Sequence, residues 1–328
     1  MGAKVSVVIT THNRVQLLKQ AVVSVLNQSY QNLECIVVDD ASNDGTYEYM
    51  KSLYDERVIF IHIPKSESHG GNYARNIGIK EASGDYVAFL DDDDFWLKTK
   101  LQKQVEKMES EELKNEGVGL VYCGRIIYID NEFAFEQSPD SEFCGDLGKK
   151  VFEKIFCTTS AIMVRKDILN RIGGFDENLA FWQEYDLLIR VCQITKVAYA
   201  DEALIVFRNN FKDKNRLSNK YEEWKKAVQQ IYGKYYSIIK DLPNNTRKRM
   251  RLVYLENASS RCYITGRKKE LHTILKEIYQ LNHSKVNYIK YIFNLSSQQI
   301  IYLKYKLNRF DFVDVDAILN EIQGDLNP

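Results

Sequence analysis

The chain has 328 residues, zero formal net charge and 45% hydrophobic residues, a composition typical of a globular protein with one large domain plus an appendage, or with two domains. No apolar run approaches the 18 or so residues of a membrane span, and the first residues lead straight into a strand, so neither a span nor a signal peptide is expected. Six cysteines without a C-x-x-C pair argue against zinc and disulfide sites and for a cytosolic protein with reduced cysteines.

Strands and helices alternate over the first 90 residues. Short apolar or β-branched runs predict strands of the kind buried in a parallel sheet, at 5–9, 33–38, 58–62 and 86–90. Between them, apolar residues recur at helical spacing. The alternation predicts an α/β fold, with a Rossmann-like, mostly parallel sheet flanked by helices.

Four consecutive aspartates, residues 91–94, follow the fourth predicted strand. Adjacent carboxylates about 4 Å apart repel by roughly 4 kcal/mol near a protein surface, so a simple turn would not use four of them. Carboxylates at the carboxyl end of a strand point into the crevice where α/β sheets bind ligands. They predict a hard divalent cation, Mg²⁺ or Mn²⁺. The alternative is a solvated acidic loop that caps the next helix.

Polar residues also end the first two strands, at 10–14 and 39–45. With the four aspartates they should meet at one edge of the sheet, where a nucleotide is expected. No G-x-G-x-x-G follows the first strand, and no G-x-x-x-x-G-K-[ST] occurs in the chain. A dinucleotide enzyme and a P-loop enzyme are therefore disfavoured.

The middle of the chain continues the α/β pattern. Paired strands are predicted at 119–123 and 125–129, a loop over the site at 131–148, and the last strands at 197–199 and 203–207. Gly173 and Gly174 end one predicted helix.

The rear of the chain differs in charge. Residues 244–309 hold 14 Lys/Arg and 3 Asp/Glu, interleaved with tyrosines, whereas 310–328 hold 5 acidic residues and no basic ones. Helices with a basic, aromatic surface are consistent with peripheral contact to an anionic membrane. The alternatives are a helical subdomain packed on the front, a surface for homo-oligomers, and a solvated basic face. Nucleic acid is not expected, because no recognised binding fold accompanies the charge.

Five segments together resemble one known family. They are VSVVITTHNR (5–14), VVDDASNDGT (37–46), GNYARNIGI (71–79), GDYVAFLDDDD (84–94) and GGFDE (173–177). In their order and spacing they resemble the inverting glycosyltransferases of family 2, of the bacterial polysaccharide and capsule type, which have the GT-A fold. The resemblance covers roughly residues 4–210. It implies a catalytic domain at 1–210, followed by a mobile loop and a C-terminal helical region at 211–328.

The resemblance implies which residues bind the nucleotide. Thr10 and His12 would contact the base and ribose, although the family commonly has Pro and Tyr there. Asp40 would accept a hydrogen bond from a uracil ring. Arg75 and Asn76 would lie on the helix that faces the nucleotide.

The resemblance also implies the metal ligand and the base. Asp91 and Asp92 would flank the ribose and phosphates, and Asp93 would bind Mn²⁺ or Mg²⁺ directly. The family's base is usually an Asp after Glu or Gln; here Gln183 precedes Glu184, which keeps the carboxylate and lengthens its reach by one methylene. Asp186, two residues further on, is expected to have a structural role.

The expected function is transfer of a sugar from a nucleotide sugar, UDP-linked, to a hydroxyl of a glycan or lipid-linked glycan, in the cytoplasm at the inner face of the membrane. Arg216 and Ser218 in the predicted loop could meet the diphosphate.

A nucleotidyltransferase on a similar fold is one alternative, although the Gly-rich basic loop of that class is absent after the first strand. A non-catalytic binding or scaffold protein is the other.

Overall fold

The structure, a computed structural model, describes residues 2–110, 117–212, 220–307 and 313–324. The predicted loop residues Arg216 and Ser218 lie outside these ranges. The strands are β1 (Val5–Thr11), β2 (Leu33–Asp40), β3 (Val58–Ile63), β4 (Tyr86–Asp91), β5 (Phe95–Trp96), β6 (Val118–Ile129), β7 (Phe133–Gln137), β8 (Met163–Arg165) and β9 (Lys196–Asn209).

Helices occupy most of the remaining described residues. Those of the front are α1 (Val15–Leu26), α2 (Thr46–Ser52), α3 (Gly71–Glu81), α4 (Lys100–Glu109), α5 (Lys166–Ile172) and α6 (Gln183–Cys192). Short 3₁₀ helices lie at Lys65–Glu67, Gly148–Glu153 and Thr159–Ala161. Those of the rear are α7 (Tyr221–Lys234), α8 (Tyr236–Ile239), α9 (Asn244–Ile264), α10 (Lys268–Leu281), α11 (Lys285–Phe293), α12 (Ser297–Lys306) and α13 (Val315–Gly324).

The sheet confirms the predicted α/β architecture. Its order is β3-β2-β1-β4-β8-β6-β9-β5, with β7 paired to β6, and the first four strands pair in parallel. Helix α3 packs so closely on β1 that a Cβ added to Gly78 would lie 2.4 Å from Cγ1 of Val8. Because parallel strands end on the same side, the carboxyl ends of β1, β2 and β4 bring their polar residues to one edge.

The middle of the chain departs from the prediction. The two strands expected within 119–129 are one strand, β6, which pairs with β9 through register shifts around Gly124. A Cβ on Gly124 would lie 2.6 Å from the carbonyl oxygen of Gln137 and 3.0 Å from that of Glu202. The glycine therefore marks an irregularity where three strands approach closely, and not a turn. Likewise, part of the predicted loop 131–148 forms β7, and the last two predicted strands are one strand, β9.

The rear helices share a core with the front. Trp224, Ile231 and Tyr235 of α7 and its C-cap, and Met250 and Ala258 of α9, belong to the same buried hydrophobic cluster as the sheet. A second cluster holds α9 and α10 together. No helix within the described ranges has the length and the apolar run that a membrane crossing needs.

Lys100, in the first turn of α4, is fully buried, and its Nζ has no hydrogen-bond partner among the described residues. The Nζ lies 3.6 Å from the centre of the Trp96 ring, which favours the charged form through the ring's negative face. Burial nevertheless lowers the pKa of Lys100 from 10.5 to about 7, because an ammonium loses its hydration in the core.

We expect Lys100→Met to raise the free energy of unfolding at pH 7 by about 1–3 kcal/mol, the burial cost less the lost ring contact. Since the unfolded chain binds the proton more tightly than the folded one, the cost of Lys100 grows as pH falls from 10.5 to about 7 and stays constant below. Urea unfolding of wild type and Lys100→Met at several pH values measures this difference in the free energy of unfolding. Lys107→Met, at a half-buried position of the same helix, is the control; a gain that does not shrink above pH 7 would contradict the expectation.

Candidate active site

A cleft of about 640 Å³ opens at the edge where β1, β2 and β4 end. Eight of the nine residues predicted from the sequence line it: Thr10, His12, Asp40, Arg75, Asp91, Asp92, Asp93 and Glu184. The strand register brings the first of these together, since Thr10 on β1 is the neighbour of Asp91 on β4. The cleft also includes residues from the segment before α6 and one residue of α9, Arg261.

Asn76 is the predicted residue that lies elsewhere. Its amide nitrogen donates to the carbonyl of Phe175 (2.9 Å) and to the carboxylate of Glu177 (2.7 Å), and its Oδ1 accepts from the Phe175 N–H (2.8 Å). These bonds hold the Gly-Gly-Phe-Asp turn against α3. The neighbouring Arg75 does face the cleft, where its Nη2 donates to Asp91 over 2.6 Å.

Two of the four aspartates in the acidic loop have different surroundings. Asp92 is buried, accepts a hydrogen bond from Thr11 (2.7 Å) and pairs with Arg14 (2.9 Å). Burial raises the pKa of Asp92 to about 6, with Arg14 opposing the shift and Asp93 adding to it. Asp93 is more exposed and lies 3.4 Å from the same arginine. The sequence analysis assigned no role to Arg14. Its position directly after His12 and Asn13, at the end of β1, could have indicated that it lies in the cleft.

Three carboxylates of this loop could hold a metal ion. Oxygens of Asp91, Asp93 and Asp94 lie within 4.8 Å of one another. Asp94 is buried, accepts from the Ser160 hydroxyl (2.6 Å) and the Arg208 N–H (3.0 Å), and has a pKa raised well above its ordinary range, first by burial and then by Asp93. Converging carboxylate oxygens suit Mg²⁺ or Mn²⁺. The sequence predicted Asp93; the geometry adds two further candidate ligands.

His12 and Asp40 form a further polar part of the cleft wall. His12 Nδ1 lies 2.5 Å from the Asp40 carbonyl oxygen and therefore donates to it, and its Nε2 then accepts from Asn13 (2.9 Å). Both ring nitrogens are thus engaged. The Asp40 carboxylate accepts from the Gly70 N–H through Oδ2 (3.0 Å), while its buried Oδ1 has no partner among the described residues. That oxygen can accept a hydrogen bond from a ligand.

Glu184 lies in the first turn of α6, two residues after the strained Trp182, whose φ is 57°. Its side chain is half-buried in the cleft. Burial raises the pKa of Glu184, as does the Asp91 carboxylate, while Arg75 and Arg261 oppose the shift. A carboxylate with a raised pKa inside a cleft is suited to accept a proton.

Asp186 is placed differently. It is fully buried, and its two oxygens accept from Arg190 (2.5 and 2.8 Å), from the Tyr235 hydroxyl (2.7 Å) and from Lys234 (2.6 Å). All its acceptor capacity is used: Oδ2 accepts from Arg190 within α6, and Oδ1 accepts from Lys234 and Tyr235 at the end of α7, which ties α6 to the rear helices. This arrangement gives Asp186 a structural role.

We expect Asp186→Asn to lower the free energy of unfolding by about 2–3 kcal/mol, because the change leaves two cations without their carboxylate. The loss stays moderate because Arg190 and Lys234 both reach solvent. Urea unfolding measures it, with the exposed Asp241→Asn as control. Unchanged stability combined with a large loss of activity would instead point to a catalytic Asp186.

Comparison with known proteins gives concordant matches. Residues 6–173 match the model described as glycosyl transferase family 2. The Escherichia coli UDP-Glc:alpha-D-GlcNAc-diphosphoundecaprenol beta-1,3-glucosyltransferase WfaP is 30% identical over 66% of this chain and 84% of its own length. An uncharacterized glycosyltransferase of Rickettsia typhi is 29% identical, over 67% of this chain and 69% of its own.

Two solved structures have a similar fold at low sequence identity. The mannosyltransferase PcManGT from Pyrobaculum calidifontis, in complex with GDP-Man and Mn²⁺, has a TM-score of 0.59 at 16% identity, covering 89% of this chain and 84% of its own. Residues 1–349 of Staphylococcus aureus TarS, in complex with UDP-GlcNAc, have a TM-score of 0.51 at 17% identity, covering 95% of each chain.

Proposed function

Because the chain belongs to glycosyl transferase family 2 and has the GT-A fold, we propose that it is a metal-dependent, inverting glycosyltransferase. One observation carries the proposal: two of the three candidate metal ligands, Asp91 and Asp93, line a single cleft with Glu184 and with Asp40, whose Oδ1 has no hydrogen-bond partner among the described residues. The donor is a nucleotide sugar, and the acceptor is a hydroxyl of a glycan or lipid-linked glycan.

The donor is a UDP-sugar. Uracil presents one imide N–H, and Oδ1 of Asp40, which has no hydrogen-bond partner among the described residues, can accept from it. A guanine edge offers two donors and would engage both carboxylate oxygens. His12 and Thr10 line the same cleft. The TarS complex with UDP-GlcNAc supports this assignment, while the PcManGT complex with GDP-Man makes GDP-sugars the comparison to test.

Asp91, Asp93 and Asp94 would hold Mn²⁺ or Mg²⁺, which as a Lewis acid offsets the charge of the leaving diphosphate. Glu184 accepts the proton of the attacking hydroxyl, and its raised pKa fits that task. One base and a direct displacement invert the anomeric configuration, so an α-linked donor gives a β-linked product. Arg75, bonded to Asp91, keeps that carboxylate oriented.

A turnover assay tests the proposal and separates it from its alternatives. Purified protein is incubated with Mn²⁺ and UDP-glucose, UDP-GlcNAc or GDP-mannose, and free nucleoside diphosphate is measured. The proposal expects release of UDP that EDTA abolishes. Pyrophosphate release from a nucleoside triphosphate and a sugar 1-phosphate would indicate a nucleotidyltransferase. Binding of UDP-sugars without turnover would indicate a non-catalytic protein.

We further propose that the chain works on the cytoplasmic face of a membrane and contacts it through α11. The name of the E. coli relative includes a diphosphoundecaprenol acceptor, which is a lipid. Several rear aromatics are packed, since Tyr254 stacks on Trp224, and Tyr302 donates to Asp130. By contrast, one helix exposes apolar side chains: Val286, Tyr288, Ile289, Ile292 and Phe293.

We expect the chain to co-sediment with anionic liposomes at low salt and to be released as salt rises, because screening weakens the basic region's attraction. The double variant Ile289→Asp with Phe293→Asp should abolish binding. Tyr54→Asp with Tyr236→Asp, at exposed aromatic positions outside α11, is the matched control. No liposome binding by the wild type, together with an oligomer that the double variant dissolves, would assign α11 to self-association.

A further inference from the structure

Arg261 brings the rear region into the active-site cleft. It lies on α9, and it lines the same cleft as Glu184 and the acidic loop. The rest of α9 packs against α10 and the core, so this side chain is the contribution of that helix to the cleft wall among the residues described.

Arg261 differs from the other two arginines of the cleft, which both form ion pairs with aspartates. Arg14 pairs with Asp92 over 2.9 Å, and Arg75 pairs with Asp91 over 2.6 Å. Within the described ranges Arg261 has no ion pair. Its Nη1 donates to the backbone and side-chain oxygens of Asn257, both at 3.2 Å, and its Nε is buried without a hydrogen-bond partner.

Aromatic rings hold this guanidinium in place. Its central carbon lies 4.7 Å from the centre of the fully buried Trp224 ring. Trp224 stacks on Tyr254 (5.4 Å) and meets Trp182 edge to face (5.8 Å). Trp182 precedes α6 and therefore connects the stack to the helix that carries Glu184. A cation fixed in this way loses little side-chain entropy when it binds an anion.

Arg261 and Glu184 line the same cleft and interact electrostatically. Burial lowers the pKa of Arg261 to about 10, and Glu184 is the carboxylate that opposes the shift. Glu184 responds to Asp91 and Arg75 as well. Glu184 thus interacts both with the acidic loop, where the donor phosphates are expected, and with Arg261. When Glu184 takes up a proton, the buried cation would lose its nearby counter-charge unless an anion is present.

We propose that Arg261 binds an anionic group of the acceptor, a phosphate or a carboxylate next to the reacting hydroxyl. Arg261 thereby selects charged acceptors over neutral ones. Its planar fork, whose Nε has no hydrogen-bond partner among the described residues, suits both anions. This assignment of substrate class rests on the proposed transferase function and names the part of the cleft that recognises the acceptor.

Binding of small anions tests the proposal without knowledge of the acceptor. The wild type is saturated with UDP and Mg²⁺ and titrated with inorganic phosphate in one arm and acetate in the other. Tryptophan fluorescence reports binding, because Trp224 lies under the guanidinium, and calorimetry gives the affinity. Arg261→Gln should weaken anion binding by about 10–100-fold, the worth of a charge-assisted hydrogen bond, and Arg261→Lys should give an intermediate loss. Arg247→Gln, on an exposed part of the same helix, is the matched control.

The titration distinguishes the kind of anion and tests the role of Arg261. Tighter phosphate than acetate binding assigns a phosphate-bearing acceptor, and the reverse assigns a carboxylate. No anion binding by the wild type, unchanged binding by Arg261→Gln, or an equal loss of UDP affinity in that variant would overturn the proposal. Turnover of UDP-sugars is measured in parallel. Arg261-dependent anion binding without turnover would refute the transferase function and leave the anion site standing.

Discussion

Replacement of Glu184 by glutamine is expected to slow sugar transfer by about 10²–10⁴-fold, the usual worth of a positioned base, with little change in donor affinity. Glutamine keeps the size of the side chain and most of its hydrogen bonding, but it cannot take up the acceptor proton. The residues proposed to bind the donor, Asp40 and those of the acidic loop, are unchanged. Initial rates of UDP release and calorimetric affinity for UDP measure the two quantities.

The dependence of the rate on pH gives this prediction a second readout. The base works in its deprotonated form, so the rate should rise as pH increases through the pKa of Glu184 and then level off. Since burial raises the pKa of Glu184, the increase in rate should occur at higher pH than the pKa of a free glutamate would give. Glu184→Gln should lack the rise. Glu223→Gln, which removes an exposed carboxylate from the first turn of α7, is the matched control. Full activity of Glu184→Gln would place the base elsewhere.

Asp93→Ala should lower transfer by about 10³-fold or more, because a metal acting as Lewis acid contributes several kcal/mol to transition-state stabilisation. The substitution removes one of three candidate ligands and leaves Asp91 and Asp94 in place. Affinity for UDP in the presence of Mn²⁺ should fall to the value that wild type shows with EDTA. The fold should survive, since Asp93 lies in a partly exposed loop.

Calorimetric titration of UDP with and without Mn²⁺, and thermal unfolding, check both statements. Asp201→Ala, which removes an exposed carboxylate outside the cleft, is the control for charge. If Asp93→Ala kept wild-type turnover in the presence of a chelator, the metal would have no part in the reaction. If the variant bound UDP with unchanged metal dependence, Asp91 and Asp94 would be the ligands that matter.

The front of the fold was predictable because its signals are local. Strands β1, β2 and β4 are buried, so they appear in the sequence as nearly continuous apolar runs. Their polar ends converge because parallel strands share a direction. By contrast, Gly124 could not be recognised as a strand irregularity from the sequence, since the reason for it is the close approach of Gln137 and Glu202 from other strands.

The site was predictable where a residue's position in a strand decides which way it points. On a helix the direction of a side chain is harder to predict, because each residue is rotated by about 100° relative to the one before. Arg75 and Asn76 are adjacent, and only the first of them faces the cleft. Arg261 carried no signal at all. Its position depends on the stack with Trp224 and on α9 packing against the front, which no local pattern encodes.

The residues that pack beneath the acidic loop include residues of helix α13, which is synthesised late, so this packing forms late in folding. Val315 and Ile322 share a buried cluster with Phe95, the residue directly after the four aspartates, and the Ile322 carbonyl accepts a hydrogen bond from Asn27 across 295 positions of sequence. Contacts of such long range form slowly, because a large loop must close first. The parallel strands β1 to β4 can pair while synthesis continues. The edge of the sheet that carries the acidic loop therefore acquires its final packing late, after strands β1 to β4 are already in place.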